Sequence, residues 1–491
     1  MKYLVFSGVL LCLPALVVLM VLDRRLVRWV MLIGVLMPVV LYEATALNFF
    51  SAEEYRGTSR GMEVSLIYVA ALALLLAFAI LRGQFFVAPG AGPRLYLLYL
   101  LLSLPSLTTA ANRLFSWFEI WKMLMMLAVF LAVYGYLEFS RGDFSVLLLG
   151  AGLVAAVNFL VIVNQHFHGI YQVRGVFPHQ NSMAMFMTLA AMLFLACFFN
   201  QSGRARSRRW ILLVCALASF AVFRSFSRGA IACFSAGAVL TVLCSMVTNF
   251  SPRKVPLLLG LMMLAAVGML YFTPKLLERF ETANEVSWNT RVRLAAAAAN
   301  MIRDEPWRGV GLNNWGIKIN PPYEYSLFRE ERSGATDDWK DGIVETIYLL
   351  VAAECGVPCL VALVLWFAYY LVVCMLLIWR LRHTEYFFVP AGLLGGLAAV
   401  YAQSSLEWVL KQQMNFIWLM VFFAMLTYLN NHWRQLRAQA QTVNRSKAAA
   451  PEPAPENAVP QEGDVPLAEG DAPLEDDVPQ AADAPLEETN V

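Results

Sequence analysis

Arg174-Gly175-Val176-Phe177-Pro178-His179-Gln180-Asn181-Ser182 runs directly into Met183-Ala184-Met185-Phe186-Met187-Thr188-Leu189-Ala190-Ala191-Met192-Leu193-Phe194-Leu195-Ala196-Cys197-Phe198-Phe199. The second half reads as a membrane helix, because about 20 such residues cross the hydrocarbon core of a bilayer. The first half puts a guanidinium at its mouth. Gly175 and Pro178 predict a bent, non-helical approach, and Asn181 or Ser182 suits an N-cap whose following amides, with the helix dipole, favour an anion. The plainer alternative is an interfacial loop with a snorkelling arginine.

Outward from this stretch the chain is mostly greasy helix. Hydrophobic residues make up 59% of 491 and charged residues 15%, with a mean hydropathy of +0.59; a soluble domain carries about 25% charge. Twelve or thirteen apolar runs are centred near residues 12, 38, 73, 103, 128, 155, 191, 217, 238, 264, 368, 395 and 422. The expected fold is therefore an all-α polytopic membrane protein with 12–13 transmembrane helices, one large, partly helical outside loop and a disordered C-terminal tail. The short run near 217, and the run near 38 with Glu43, could be re-entrant. Lys2 precedes an apolar run without a small-residue cleavage site, so the first run is expected to stay as a helix or anchor.

Basic loops fix the orientation. Gln201 to Arg209, Pro252-Arg253-Lys254, Arg380 to His383 and Arg434 to Lys447 fall on one side, the cytoplasmic one, by alternation. The Arg174 loop and the 69-residue polar insertion from Pro274 to Gly342 fall on the other. Thirteen spans put the N-terminus outside and twelve put it inside. The organisation read from this is a helical part over 1–273, the loop over 274–342, helices again over 343–432, and a basic stretch with an acidic tail over 433–491.

From Ala448 onward there are twelve acidic residues and no basic one, so the net charge of +2 conceals 37 Lys and Arg against 23 Asp and Glu in the rest of the chain. This tail repeats Asp-Val-Pro and Asp-Ala-Pro units, lacks aromatics, and cannot bury enough apolar area to offset its ordering entropy. The eight cysteines lie in or beside apolar runs and read as small core hydrophobes rather than metal ligands.

Three further elements carry chemistry. Phe223-Arg224-Ser225-Phe226-Ser227-Arg228-Gly229 is a tight turn between two apolar runs, with two arginines and no acidic neighbour in sequence. A guanidinium there suits a pyrophosphate, to which it can donate two parallel hydrogen bonds. Trp288 to Ile302 reads as an amphipathic helix capped by Asn289 or Thr290, bearing Arg291 and Arg293 and stopped by Pro306. After it come Gly309 and Gly311, which lack the further glycines and the lysine of a nucleotide loop. Glu345 heads an apolar helix directly after polar loop, where a carboxylate could serve as a general base. A first-turn glutamate favoured by the helix dipole is the blander reading, and Glu354 reads as a packing residue.

Taken in order, these elements resemble the O-antigen ligase and O-antigen polymerase superfamily. The matching residues are Arg174, Gly175, Pro178 and Asn181; Ser227, Arg228 and Gly229; Arg291, Ala295, Pro306, Gly309 and Gly311; and Tyr348, Leu349, Ala353, Glu354 and Gly356. One departure stands out: the family's histidine position is Glu345 here, followed by Thr346 instead of asparagine. Glu407, on the turn between the last two runs, occupies a place where family members tend to have an acid.

The resemblance implies a membrane glycosyltransferase in a bacterial inner membrane, with its active site facing the periplasm. It would transfer a glycan from an undecaprenyl pyrophosphate donor to an acceptor hydroxyl on a glycolipid, polysaccharide or protein, with inversion. Glu345, Arg228 and Arg291 are the expected catalytic residues. Arg174, Asn181, Arg224, Arg293, Tyr348 and Glu407 are the expected substrate-binding ones. No cofactor or metal is expected, since no Asp-x-Asp motif occurs, and nothing points to nucleic acid. Ligase, polymerase and protein O-oligosaccharyltransferase remain open within this reading. A glycolipid transporter is the rival class, although the chain shows no internal repeat; a non-catalytic glycolipid-binding relative is the third possibility, motivated by the missing histidine.

Overall fold

The computed structural model describes residues 2–449 except 53–54, 56, 84–89, 201–204, 249, 264–265, 267–269, 271–272, 274–284, 321, 324 and 326–341. The acidic tail beyond 449 and two stretches of the expected 274–342 loop, 274–284 and 326–341, therefore lie outside the described residues, as does much of the second half of the run near 264. Among the described residues, seven helices are long and apolar enough to cross a membrane: Arg113–Phe139, Ser145–Phe167, Gln180–Asn200, Arg228–Val247, Val357–Arg380, Glu385–Gln403 and Gln413–Thr442. Shorter apolar helices cover Phe6–Leu22, Leu66–Arg82 and Lys254–Met263. The all-α membrane fold read from the sequence is the observed one.

Several expected runs are not continuous helices. The one near 38 passes from Arg25–Trp29 into a π-helical stretch, Val30–Leu36, and then a 3-10 stretch, Met37–Leu41. Pro38 has no N–H to continue an α-helical ladder, and this is where the helix tightens. Near 103, the helix Ala91–Ser103 closes in a 3-10 turn, Leu104–Thr108, that contains Pro105. The run near 217 is a 20-residue helix, Ala205–Arg224, whose first turns are basic.

Gln180–Asn200 is buried along nearly its whole length, packed against Ala205–Arg224, Arg228–Val247 and Phe388–Gln403. Phe388–Gln403 brings Gly392 and Gly396 against Gln180–Asn200 and Gly395 against Gly237 and Thr241 of Arg228–Val247, and small residues let helices approach closely where lipid gives no hydrophobic drive between them. Near the N-terminus, two short antiparallel strands, Ala46–Phe49 and Met62–Ser65, pair with Ala46 opposite Ser65 and Phe49 opposite Met62. This ribbon was not foreseen. Its connecting segment, through Gly57 to Arg60, is held at the end of the bundle where the sequence motifs also gather.

The candidate active site

The Arg174 turn is shaped by the helix before it. Gln165 at the end of Ser145–Phe167 accepts from the N–H groups of Arg174 (3.0 Å) and Gly175 (2.9 Å), and its amide donates to the Gly175 carbonyl at 2.8 Å. Asn158 accepts from the Val176 N–H at 2.8 Å. The helix then begins at Gln180, one residue ahead of the expected caps. His179 does the capping: its Nδ1 accepts from the Asn181 N–H at 3.2 Å. Burial, with Arg174 beside it, pushes the proton affinity of His179 down, which keeps the ring neutral and able to accept.

Asn181 and Ser182 do other work. The Asn181 amide donates to Glu407, and the Ser182 hydroxyl donates to Gln412, both across more than 200 residues of sequence. Arg291 closes the constellation from the helix Glu285–Asp304: its Nε binds Glu345 and its Nη2 lies 3.3 Å from Glu407. Glu345 stands two residues ahead of the helix Ile347–Cys355, and the Ile347 N–H donates to the Ser404 carbonyl at 3.1 Å. One guanidinium thus joins two carboxylates from the segments 343–346 and 404–412. Beside them opens a cavity of about 520 Å³ lined by Gly57, Arg60, Pro178, His179, Ile343, Glu345, Glu407, Trp408, Val409 and Gln412.

Burial raises Glu407 to about 7, with its hydrogen bond from Asn181 opposing the rise, Glu345 adding to it and Arg291 opposing it. A carboxyl at this value exchanges protons near neutrality.

The helix Glu285–Asp304 starts earlier than expected, so Asn289 and Thr290 lie inside it and do not cap it. Leu294, Ala297, Ala298 and Met301 form its buried stripe at helical spacing, packed with Val310, Trp315, Ile319, Leu350 and Ala353. The turn after it docks on the segment of Ala353 to Gly356. The Val310 N–H donates to the Ala353 carbonyl at 2.8 Å and the Gly311 N–H to that of Glu354 at 3.0 Å. Gly309, at φ +70°, would place a Cβ 2.3 Å from the Glu354 carbonyl carbon, and Gly356, at φ +83°, would place one 2.5 Å from that of Trp307. Glycines spaced in sequence as in a phosphate loop serve here to bring two backbones together.

The other expected residues are spread around this centre. Arg174 is exposed and its Nη1 donates at 3.3 Å to the carbonyl of Pro178, a residue of the cavity wall. Ser227 caps Arg228–Val247 by accepting from the Ala230 N–H at 3.4 Å, and Arg228 is exposed in the first turn. The adjoining Gly229 packs against Leu406, next to Glu407. Arg224 is buried; it donates to His166 Nδ1 at 2.7 Å and lies over the Phe226 ring at 5.2 Å. Arg293 is partly buried on the Arg291 helix. The Tyr348 hydroxyl donates to the Tyr401 carbonyl at 3.0 Å and is not part of the cavity wall.

Residues 212–364 match the family model described as O-Antigen ligase. Over these residues the chain is similar to the O-antigen ligase family. The resemblance read from the ordered motifs is thereby borne out, and with it a membrane enzyme of O-antigen ligase or polymerase type. No curated protein matches the chain. The matched segment contributes Arg224, Arg228, Arg291, Arg293, Glu345 and Tyr348, whereas Arg60, Arg174, His179, Asn181 and Glu407 come from outside it.

Below the cavity wall lies a buried charge cluster that sequence reading missed. Glu119 binds Lys122 at 2.6 Å and Lys411 at 3.3 Å, and Lys411 lies 3.8 Å from Glu354. Glu354 also accepts from the Trp315 N–H at 3.2 Å, and burial raises it to about 7 against the opposing pull of Lys411. Its packing role was legible. The ion partners were not, because Lys411 is 57 positions from Glu354 and nearly 300 from Glu119, and no spacing rule links them.

Proposed function

We propose that the protein transfers a glycan from undecaprenyl pyrophosphate to an acceptor hydroxyl in the cavity beside Arg291, on the periplasmic face, with inversion and without a metal. The observation that supports this best is the pair of carboxylates, Glu345 and Glu407, that share Arg291 and line one cavity. The acceptor O–H gives its proton to a carboxylate while its oxygen attacks the anomeric carbon. The bond from that carbon to the diphosphate oxygen breaks, and its electrons stay on the leaving diphosphate. Arg174, Arg228 and Arg291 stabilise that charge, the kind of preorganised electrostatic assistance that contributes most to many such reactions.

Glu345 stands where the family has its histidine and was the expected base. Here it is in contact with Arg291, whereas Glu407, raised to about 7, has a proton affinity suited to a base near neutrality. In this proposal the base is therefore the pair, with Glu345 holding Arg291 and Glu407 taking the proton. Purified protein in detergent, given a polyprenyl-diphosphate oligosaccharide and an acceptor, is expected to release polyprenyl diphosphate, and to do so equally well with EDTA present. Lipid that is moved across a proteoliposome membrane intact would instead identify a transporter.

A further inference from the structure

The cavity is walled in part by Gly57 and Arg60, from a segment that the ligase domain match does not reach. The residues between them are tied down on several sides. The N–H groups of Thr58 and Ser59 donate to the Asn313 side-chain oxygen at 2.9 and 3.2 Å, and the Asn313 amide donates back to the Ser59 carbonyl at 2.8 Å. The hydroxyls of Thr58 and Ser59 donate to Glu119, which is itself held by Lys122 and Lys411. On the far side, the Ala52 N–H donates to the Arg60 carbonyl at 2.8 Å. A chain fixed in this way presents its next side chain at little further entropic cost.

The side chain so presented is a guanidinium. Among the described cavity-lining residues Arg60 is the one arginine and none is a lysine; the other ionisable groups there are Glu345, Glu407 and the neutral His179. Glu63, two strand residues on, is close enough to feel Arg60, but its carboxylate also accepts from the Tyr42 hydroxyl at 2.8 Å. Arg291 is in contact with both glutamates. Arg60 therefore places a further positive charge on a wall that also carries two carboxylates.

We propose that Arg60 binds a phosphate group of the substrate in this cavity, as a cation of the site supplied from outside the segment similar to the ligase family. A guanidinium donating paired hydrogen bonds matches phosphate better than an ammonium does. The phosphate belongs either to the donor diphosphate or to the acceptor, and this inference rests on the glycosyl transfer proposed above.

The test compares wild type, Arg60→Ala and Arg60→Lys, each checked for monodisperse elution and thermal midpoint, in steady-state assays that vary donor and acceptor separately. Inhibition by polyprenyl diphosphate without a glycan is measured in parallel. Arg60→Ala is expected to raise one KM by about ten- to a hundred-fold, with Arg60→Lys recovering only part of the loss. A rise in donor KM together with weaker inhibition by the bare diphosphate assigns the phosphate to the donor. A rise in acceptor KM with unchanged inhibition assigns it to the acceptor. Both variants matching wild type in KM and inhibition would overturn the role of Arg60 while leaving the transfer reaction standing. A wild-type enzyme that releases no polyprenyl diphosphate but still binds it more tightly than Arg60→Ala would overturn the transfer reaction and retain the phosphate site.

Discussion

At the scale of single residues, the site turns on how two glutamates share one arginine. Because Glu407 is raised to about 7, it is protonated below that value and ionised above it. If it is the base, activity must rise as pH increases through about 7, and Glu407→Gln should remove that limb and lower kcat by about 100- to 10,000-fold. Glu345→Gln should lower activity without deleting the limb; the reverse pattern in the two pH profiles would return the base role to Glu345. Arg228→Lys keeps a charge but loses the bidentate fork, and kcat/KM should fall by about 100-fold at unchanged expression. Much of this was legible, since Arg174, Arg228, Arg291, Glu345 and Glu407 stand in ordered motifs. His179 was not, because its cap depends on a neutral ring, and that depends on burial and on Arg174, neither of which sequence spacing reveals. Arg60 sits in a short polar segment with no motif, and only the pairing of two strands brings it to the cavity.

At the scale of elements, the helix Glu285–Asp304 is an arm that delivers Arg291, and its apolar stripe is what holds the arm in place. Met301 and Leu294 are fully or almost fully buried against Val310, Trp315 and Leu350. Met301→Ala should cost about 2–5 kcal/mol locally, seen as faster hydrogen exchange through 291–304 with the amides of Gln180–Asn200 unchanged. Turnover should fall with it, because Arg291 would no longer be held between Glu345 and Glu407. Exchange rates equal to those of wild type would mean that the helix is held by something other than this stripe. The amphipathic period of the helix was readable, but its start was not: Asn289 and Thr290 look like caps, yet the chain is already helical from Glu285. The broken run over 30–41 was likewise hidden, since hydropathy gives the length of an apolar stretch and says little about where Pro38 will force it to tighten.

At the scale of the whole molecule, the cavity depends on a charge cluster that ties its wall to the bundle. Glu119 and Lys122 lie on Arg113–Phe139, Lys411 on the turn that carries Glu407, and Glu354 on the helix after Glu345, so one buried cluster joins three of the segments that frame the site. It also holds the Thr58 and Ser59 hydroxyls, and through them the 57–60 wall. Such a cluster is a poor source of net stability, because desolvation offsets most of the attraction, but removing one member leaves a buried charge without its partner. Glu119→Gln, which removes the carboxylate that Lys122 and Lys411 share, should therefore cost about 3–5 kcal/mol. Glu119→Gln combined with Lys122→Met removes one charge of each sign and should recover a large part of the loss. Thermal unfolding in detergent measures both, and the double variant adds a second reading. It should unfold near the wild-type midpoint yet turn over more slowly, because the Thr58 and Ser59 hydroxyls would have lost their ionised acceptor and the wall carrying Arg60 would be less firmly placed. Single and double variants with the same midpoint would mean that these charges are not coupled, and a double variant with wild-type turnover would mean that the wall is positioned without them.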